Sequence, residues 1–484
     1  MNASLTKVLA VSINGEAIDL TKVGIVQGDQ AFIDPISISA GQPLEFPLGN
    51  TLHIHIDDHL PGEGSCTFHI HLHTQPFGEL RINFEDNLNQ RVIKKATTGV
   101  PRSGEDDYSD RIIQERIAFT EAYTGRKVTS LKRHALNPKQ IKGNCENFIG
   151  AAQIPLGLAG PIRINGEWAQ GEFLVPLATS EGTLVASYNR GIKIVNLCGG
   201  VTTTVSEDLM QRAPVFVFDN ARQARSFSEW IDIHFTEIQQ KAGASSQYAH
   251  LVRIESYLSN TFAFLRFNFR TGDAAGQNMV TKATYEACLW IIENCPVKSA
   301  HFYLESNMAT DKKPSFINSL QGRGKRVTAE IIFKKEILER ELRVSANQLG
   351  YHQAVANIGA LLAGSNNNGL HSVNAITALF IATGQDVATV AESSACLTHV
   401  EVLPNGDLST SLTLPSLVVG TFGGGTGLPT QRECLEMMDC YGEGKAKKLA
   451  EIIAGVVLAG EISLAAAISS ADWVSSHEAM GRNK

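Results

Sequence analysis

What this sequence lacks narrows it first. None of its eight cysteines stands in a C-x-x-C pair. No zinc ribbon or dithiol redox motif is therefore written into it, and scattered thiols point to a reducing, cytoplasmic setting. There is no low-complexity tract, and 43% hydrophobic with 19% charged residues is the composition of an ordinary globular protein. There is no basic excess: the net charge of −7 over 484 residues argues against a general nucleic-acid or anionic-membrane binder, while leaving local basic sites open. No basic-then-apolar segment opens the chain, so no secretory leader is expected. One apolar run, Ile452 to Ile468, is short for a membrane span and carries Glu461. A buried core helix is the expectation there, and a soluble protein without a membrane partner. No G-x-G-x-x-G follows a strand pattern, so a Rossmann site is not supported. The length allows two to four domains.

What is present is unevenly informative. Residues 1–100 alternate like strands, most clearly in LHIHID (52–57) and FHIHLH (68–73), with Pro61, Gly62 and Gly64 between them. A hairpin is the natural reading. It would put His53, His55 and Asp57 on one face of the first strand, and Thr67, His69, His71 and His73 on one face of the second. Such imidazoles hold a metal only if three ligands converge; the plainer alternative is a solvated polar face over an apolar one. Residues 99–110 (GVPRSGEDDYSD) read as a linker. The stretch 109–124 has helical spacing, with Ser109 or Asp110 as cap. Between about 214 and 303, apolar strand-like runs (215–218, 262–269) flank helical patterns (224–240, 280–294), a compact α+β unit. Residues 354–384 are rich in Ala and Gly, which suits a buried central helix.

The densest signal is 146–191, where Glu181 sits among Ala178, Thr179, Ser180, Gly182 and Thr183, followed by Ser187, Asn189 and Arg190. Polar groups packed into an apolar segment need partners, in the protein or on a ligand. Three further contexts stand downstream: Lys312 in TDKKPSFIN, Asp386 at the end of HSVNAITALFIATGQD, and His477 in WVSSHEAMGRNK. These four, in this order, resemble the hydroxymethylglutaryl-CoA reductases. DKKP followed by GRGKRV (322–327) resembles the class I branch. The resemblance covers roughly residues 110–480 and leaves 1–100 as a β domain of unknown role.

The resemblance implies a fold class of α+β type: a large catalytic domain (146–213 and 304–484) around a central helix, with an inserted non-Rossmann cofactor domain (214–303). A linker and helical segment (101–145) and the mostly-β domain (1–100) precede them. It implies reduction of (S)-3-hydroxy-3-methylglutaryl-CoA to mevalonate and CoA by two hydrides from NADPH, in a homodimer or homotetramer with shared active sites. Such a reduction needs a cation for the oxyanion and proton donors for the aldehyde and the departing thiolate. By the resemblance, Lys312 stabilises the oxyanion, Glu181 is the acid for the aldehyde, Asp386 couples the two, and His477 protonates the thiolate. Ser187, Asn189, Arg190, Arg212, Asp311, Lys313, His371 and Asn374 fall at substrate-contact positions, with Arg212 and Lys313 suited to a free carboxylate. Asp273, Gly276, Gln277 and Asn278 in TGDAAGQNM, Gly423, Gly424 and Gly425, and the pair Ser246–Gln247 fall at cofactor positions. Three departures stand out. Gln247 replaces an arginine expected near the 2′-phosphate, leaving Arg253 or Lys241 to substitute and NADH open. No lysine occurs around Gln353–Val355, and Glu305 stands where a serine is expected. The alternatives are a reductase of another acyl thioester and a non-catalytic regulatory homologue.

Overall fold

The computed structural model describes residues 2–27, 32–47, 52–56, 64–88 and 99–470. His477, Asp57 and the turn residues Pro61 and Gly62 lie outside the described residues. The chain divides into two units, Met1–Pro101 and Arg102–Lys484.

In the first unit the strand Asn2–Ile13 is central. It pairs antiparallel with Glu16–Ala17, Leu44–Pro47 and Gly64–Gln75, and the last continues into Gly78–Leu88. The hairpin expected from the two histidine-rich runs does not form. Leu52–Ile56 pairs with Val23–Gln27 in a separate two-stranded sheet. Alternation specifies a strand and its faces but not its partner, and both edges of Gly64–Gln75 are taken by longer strands. Ile70 and Leu72 face a core with Leu5, Val8, Val11 and Ile25, and Phe68 stacks on Phe84 at 4.8 Å. The imidazoles opposite are spent separately: His69 on Asn83 (2.7 Å), His71 on Glu79 (3.2 Å), His73 on Thr6 (2.7 Å). Among the described residues no three His, Cys, Asp or Glu side chains form a metal-holding group.

The second unit opens with the helix Asp110–Thr124. The polar stretch before it is no free linker beyond Arg102. The Arg116 side chain, fully buried, pairs with the Asp107 carboxylate and donates to its carbonyl at 2.8 Å, folding the stretch back onto the helix. The main sheet is built from Val201–Arg212, Gly324–Phe333, Leu408–Leu417 and Leu397–Val402, all antiparallel. Leu156–Gly166 joins it in parallel and turns back into Gln170–Ala178. The last residues of Val201–Arg212 leave this sheet's core and pair with Phe262–Arg270, which continues to His250–Ser259 and Val215–Val217. One strand thus serves two cores. The second core, with Phe216, Phe227, Phe267 and Ile291, lies under the helices Ala221–Ile233, Phe235–Gly243 and Gln277–Asn294. The single helix expected over 224–240 is two, broken at His234, whose ring stacks on Trp230.

The first core surrounds the helix Ala446–Ser469. By length and composition it could cross a membrane, but 78% of its apolar window is buried inside the protein. Its small residues bring neighbours close: a Cβ at Gly460 would strike the Tyr188 ring, and one at Gly191, on the facing helix Leu184–Leu197, would strike the Ala459 carbonyl. Its two buried glutamates anchor other elements. Glu461 accepts from the backbone N–H groups of Leu370, His371 and Ser372, at 2.8 Å each, and so fixes the start of the helix Ser372–Thr383. Glu451 accepts from Glu167, Trp168 and Ala169 in the turn between Leu156–Gly166 and Gln170–Ala178. The region 354–384 is not one buried helix. Ser372–Thr383 is buried, but Ala346–Leu362 exposes Tyr351, Val355, Ile358 and Leu362 along one stripe.

Candidate active site

Lys312 and Asp386 meet: Nζ to Oδ2 is 3.2 Å, with both side chains a little under half exposed. Each is set by its loop. The Lys312 loop is strained, with positive φ at Asn307 (66°), Thr310 (59°) and Lys312 (59°), a conformation non-glycine residues adopt only where the surroundings impose it. Asn318 accepts from the Thr310 hydroxyl at 2.7 Å, and the fully buried Arg323 donates to Asp311 at 2.9 Å. Asp386 follows the helix Ser372–Thr383, which ends in left-handed Gly384 (φ 70°). Its Oδ1 accepts from the Ala388 N–H at 3.1 Å, capping the next turn and leaving Oδ2 for Lys312.

These two charges lie on the wall of a cavity of about 700 Å³. Much of the rest is backbone-rich. Gly276, Gln277 and Asn278 bring the N-terminus of the helix Gln277–Asn294, and Gly423, Gly424 and Gly425 bring a glycine loop. A helix N-terminus, bare amides and a lysine together favour an anion. The GQD tripeptide ties this wall together: Gly384 packs on the Gly425 carbonyl, and the Gln385 amide exchanges two hydrogen bonds with the Gly420 backbone, both 2.9 Å. Gln385, Asn144, Phe422 and Gln431 also line the cavity. Gln385 stands inside the context that ends in Asp386 and Phe422 directly before the glycine run 423–425, while no sequence pattern names Asn144 or Gln431.

Other expected site residues lie elsewhere. Asp273 is not in the cavity wall. Its carboxylate accepts from Gly444 (2.7 Å) and Ala446 (3.0 Å), at the start of the central helix. Ser246 accepts from the backbone of Tyr248 and Ala249, and Gln247 beside it is exposed. Arg253 is held by Glu207 (3.2 Å) and Glu255 (2.9 Å). A second cluster gathers at the central helix. Ser187 lies 3.3 Å from His371 Nε2 and 3.1 Å from Ser463, Arg190 donates to Ser463 at 3.0 Å, and Asn374 donates to His371 Nδ1 at 2.8 Å. Burial, then the Arg190 charge, lowers the His371 pKa to about 4, so the ring is neutral. Asn189 turns instead to the Gly160 N–H (2.8 Å). Glu181 is exposed, its N–H donating to the Thr179 hydroxyl at 3.0 Å. Among the described residues no hydrogen bond or ion pair joins it to Lys312 or Asp386. Arg212 is engaged by Glu305 at 2.9 Å and lies 3.6 Å from Asp311, and Lys313 donates to the Asp311 carbonyl at 3.1 Å.

The fold is that of known reductases. The class II 3-hydroxy-3-methylglutaryl-CoA reductase of Streptococcus pneumoniae, in a structure described as bound to NADPH, superposes with a TM-score of 0.56 at 21% identity, covering 73% of this chain and 96% of that one. The profile of hydroxymethylglutaryl-coenzyme A reductase matches residues 112–482, and that of the hydroxymethylglutaryl-CoA reductase N-terminal domain matches residues 1–89. The chain belongs to the hydroxymethylglutaryl-CoA reductase family. The second match corrects the expectation that the family likeness stops short of residues 1–100. Relatives named 3-hydroxy-3-methylglutaryl-coenzyme A reductase include those of Pyrococcus abyssi (44% identical over 370 residues, 75% of this chain and 90% of that one) and Methanocaldococcus jannaschii (41% over 408 residues, 82% and 100%). One from Arabidopsis thaliana is 38% identical over 414 residues, 82% of this chain and 69% of its own.

Proposed function

We propose that this chain is a class I-type, NADPH-dependent oxidoreductase that converts (S)-3-hydroxy-3-methylglutaryl-CoA to mevalonate and CoA. The observation that carries the reading is the 3.2 Å Lys312–Asp386 pair on the wall of a cavity otherwise rich in backbone amides. Lys312 carries the positive charge that a reduced thioester carbonyl needs as its oxyanion develops. Asp386, pinned through Ala388, keeps the ammonium in place. Glu181 then protonates the aldehyde oxygen and His477 the departing thiolate. Two reduced nicotinamides, bound one after the other, would supply one hydride each. The glycines 423–425 and the N-terminal turn at 276–278 suit the cofactor's pyrophosphate by their donor set. In this reading residues 214–303 hold the cofactor, and 146–213 with 304–484 carry the chemistry. With Ser246 spent on backbone and Arg253 on two carboxylates, NADH stays an alternative. The test is nicotinamide oxidation with this thioester, NADPH and NADH in parallel; no turnover with either would sink the proposal.

The working unit in this reading is a homodimer or homotetramer in a soluble, cytoplasmic enzyme. Two observations support a shared site: among the described residues no bond joins Glu181 to Lys312, and the Tyr351, Val355, Ile358 and Leu362 stripe exposes apolar surface suited to a second copy. Mixing inactive Glu181→Gln and Lys312→Ala chains then restores activity in hybrids, whereas a site within one chain gives none. A second reading, an acyl thioester without a free carboxylate, is favoured by the Arg212–Glu305 pair, which occupies the guanidinium such a carboxylate would use. Faster turnover of butyryl-CoA than of hydroxymethylglutaryl-CoA would select it.

A further inference from the structure

We infer that Glu392 is a positioning residue, whose buried carboxylate, paired with Arg323, holds the Lys312 backbone where its side chain meets Asp386. The inference rests on Lys312 being the oxyanion-stabilising group. Glu392 sits on the short helix Val390–Ser393, directly after the turn that Asp386 caps. One stiff segment therefore presents two carboxylates to one lysine. Asp386 takes the ammonium at 3.2 Å, and Glu392 lies against the Lys312 backbone N–H. Arg323 closes the arrangement. With no exposed surface, it places Nε 2.9 Å from Glu392 Oε2, Nη2 2.9 Å from Asp311 Oδ1, and Nη1 2.9 Å from the Gln211 carbonyl. The residue before Lys312 and the carboxylate beside its N–H are thus gripped by one guanidinium. A left-handed lysine persists only when its surroundings over-determine it, and this grip does so.

The grip is electrostatic. Neither Glu392 oxygen completes a well-aligned hydrogen bond, and burial pushes its pKa up to about 7 against the Arg323 charge. The charged groups acting on it are Arg323 and Asp311, and Lys312 meets it through the backbone N–H alone. The packed neighbours Ser372–Thr383, Leu408–Leu417 and Val387–Thr389 carry no ionisable side chain. Protonation below about 7 therefore removes the attraction to Arg323 and slackens the loop. Turnover should rise with pH through that point in kcat, with KM little changed.

The experiment is kcat and KM from pH 5.5 to 9 for the full-length enzyme, Glu392→Gln and Glu392→Asp. The neutral Gln variant should behave at every pH as the protonated enzyme does: kcat at pH 8 falls about ten- to a hundredfold, KM stays within about twofold, and the limb near neutrality disappears. Asp, which keeps the charge on a shorter arm, should keep the limb at a reduced kcat. Independently of turnover, acetic anhydride labelling of Lys312, normalised to Lys313 and read by mass spectrometry, should inflect near the same pH in the wild type and lose that inflection in Glu392→Gln. A Gln variant with the wild-type pH profile overturns the inference, as does a flat wild-type labelling curve or an Asp variant without the limb. Absence of any thioester reduction would refute the proposed function instead, while the labelling still decides the role of Glu392.

Discussion

Glu451 and Glu461 stand on the buried central helix, and each carboxylate accepts three backbone N–H bonds. Behind Lys312, by contrast, Glu392 faces a guanidinium without an aligned donor, while Asp311 shares Arg323 and Glu305 takes Arg212. Glu461 and Glu392 are both withdrawn from water, and burial raises the pKa of each. What differs is the partner. Backbone amides cannot move away without unfolding an element, so the first pair fixes architecture. Side-chain cations can shift, so the second group can position a working loop and respond to pH.

The comparison breaks most severely at Glu461. Replacing it by alanine strands two buried donors and one half-buried one at the start of Ser372–Thr383, at roughly 1–3 kcal/mol each. A loss on the order of 5 kcal/mol is comparable to a domain's whole stability. Glu461→Ala should be recovered largely unfolded; a urea midpoint within about 1 kcal/mol of wild type would mean those amides find other partners. Lys312→Ala should do the opposite. It should cost about 10²–10³-fold in kcat, as loss of an oxyanion donor does, with the melting temperature unchanged, because the side chain is nearly half exposed and makes no bond that the fold needs. Equal activity would remove Lys312 from the chemistry.

His371 sharpens the contrast, since it lies in a hydrogen-bonded cluster yet titrates. Its folded pKa, about 4, is below the ordinary 6.5 of the unfolded chain. Between those values the unfolded state binds more protons, so stability is full above about 6.5 and falls as pH drops toward 4, by on the order of 3 kcal/mol. Urea unfolding at pH 7, 5.5 and 4.5 measures this. His371→Gln should flatten the curve, and an unchanged slope would place the acid sensitivity elsewhere.

These groups were unequally legible in the sequence. Lys312 and Asp386 stand in local contexts with a motif, and the structure brings them together across a long stretch of chain. Glu461 was visible as a charge interrupting an apolar run, but its partners lie about ninety residues away, and no local pattern names them. Glu392 in VATVAESSACL carries the same kind of signal, an acid among small and apolar residues with no surface face to suit it. The partner of Leu52–Ile56 is Val23–Gln27 and not the second histidine-rich strand, because alternation fixes which residues share a face and leaves strand pairing to the lengths of competing strands. The inward faces of strands and helices were readable; the distant polar partners that join them were not.

Glu451 offers the gentlest break. In Glu451→Gln the amide oxygen can take the place of Oε2 and keep the Trp168 and Ala169 donors, while the amino group replaces Oε1 and faces the Glu167 N–H. One donor is lost. The substitution also removes a charge that burial already disfavours, so the net cost should be only about 1 kcal/mol. Hydrogen exchange resolves it better than a melting curve. The Glu167 amide should exchange faster, with Trp168 and Ala169 protected as before. If all three amides quicken together, the turn is held by the charge itself, and the backbone-satisfied carboxylates differ less from the guanidinium-paired ones than their geometry implies.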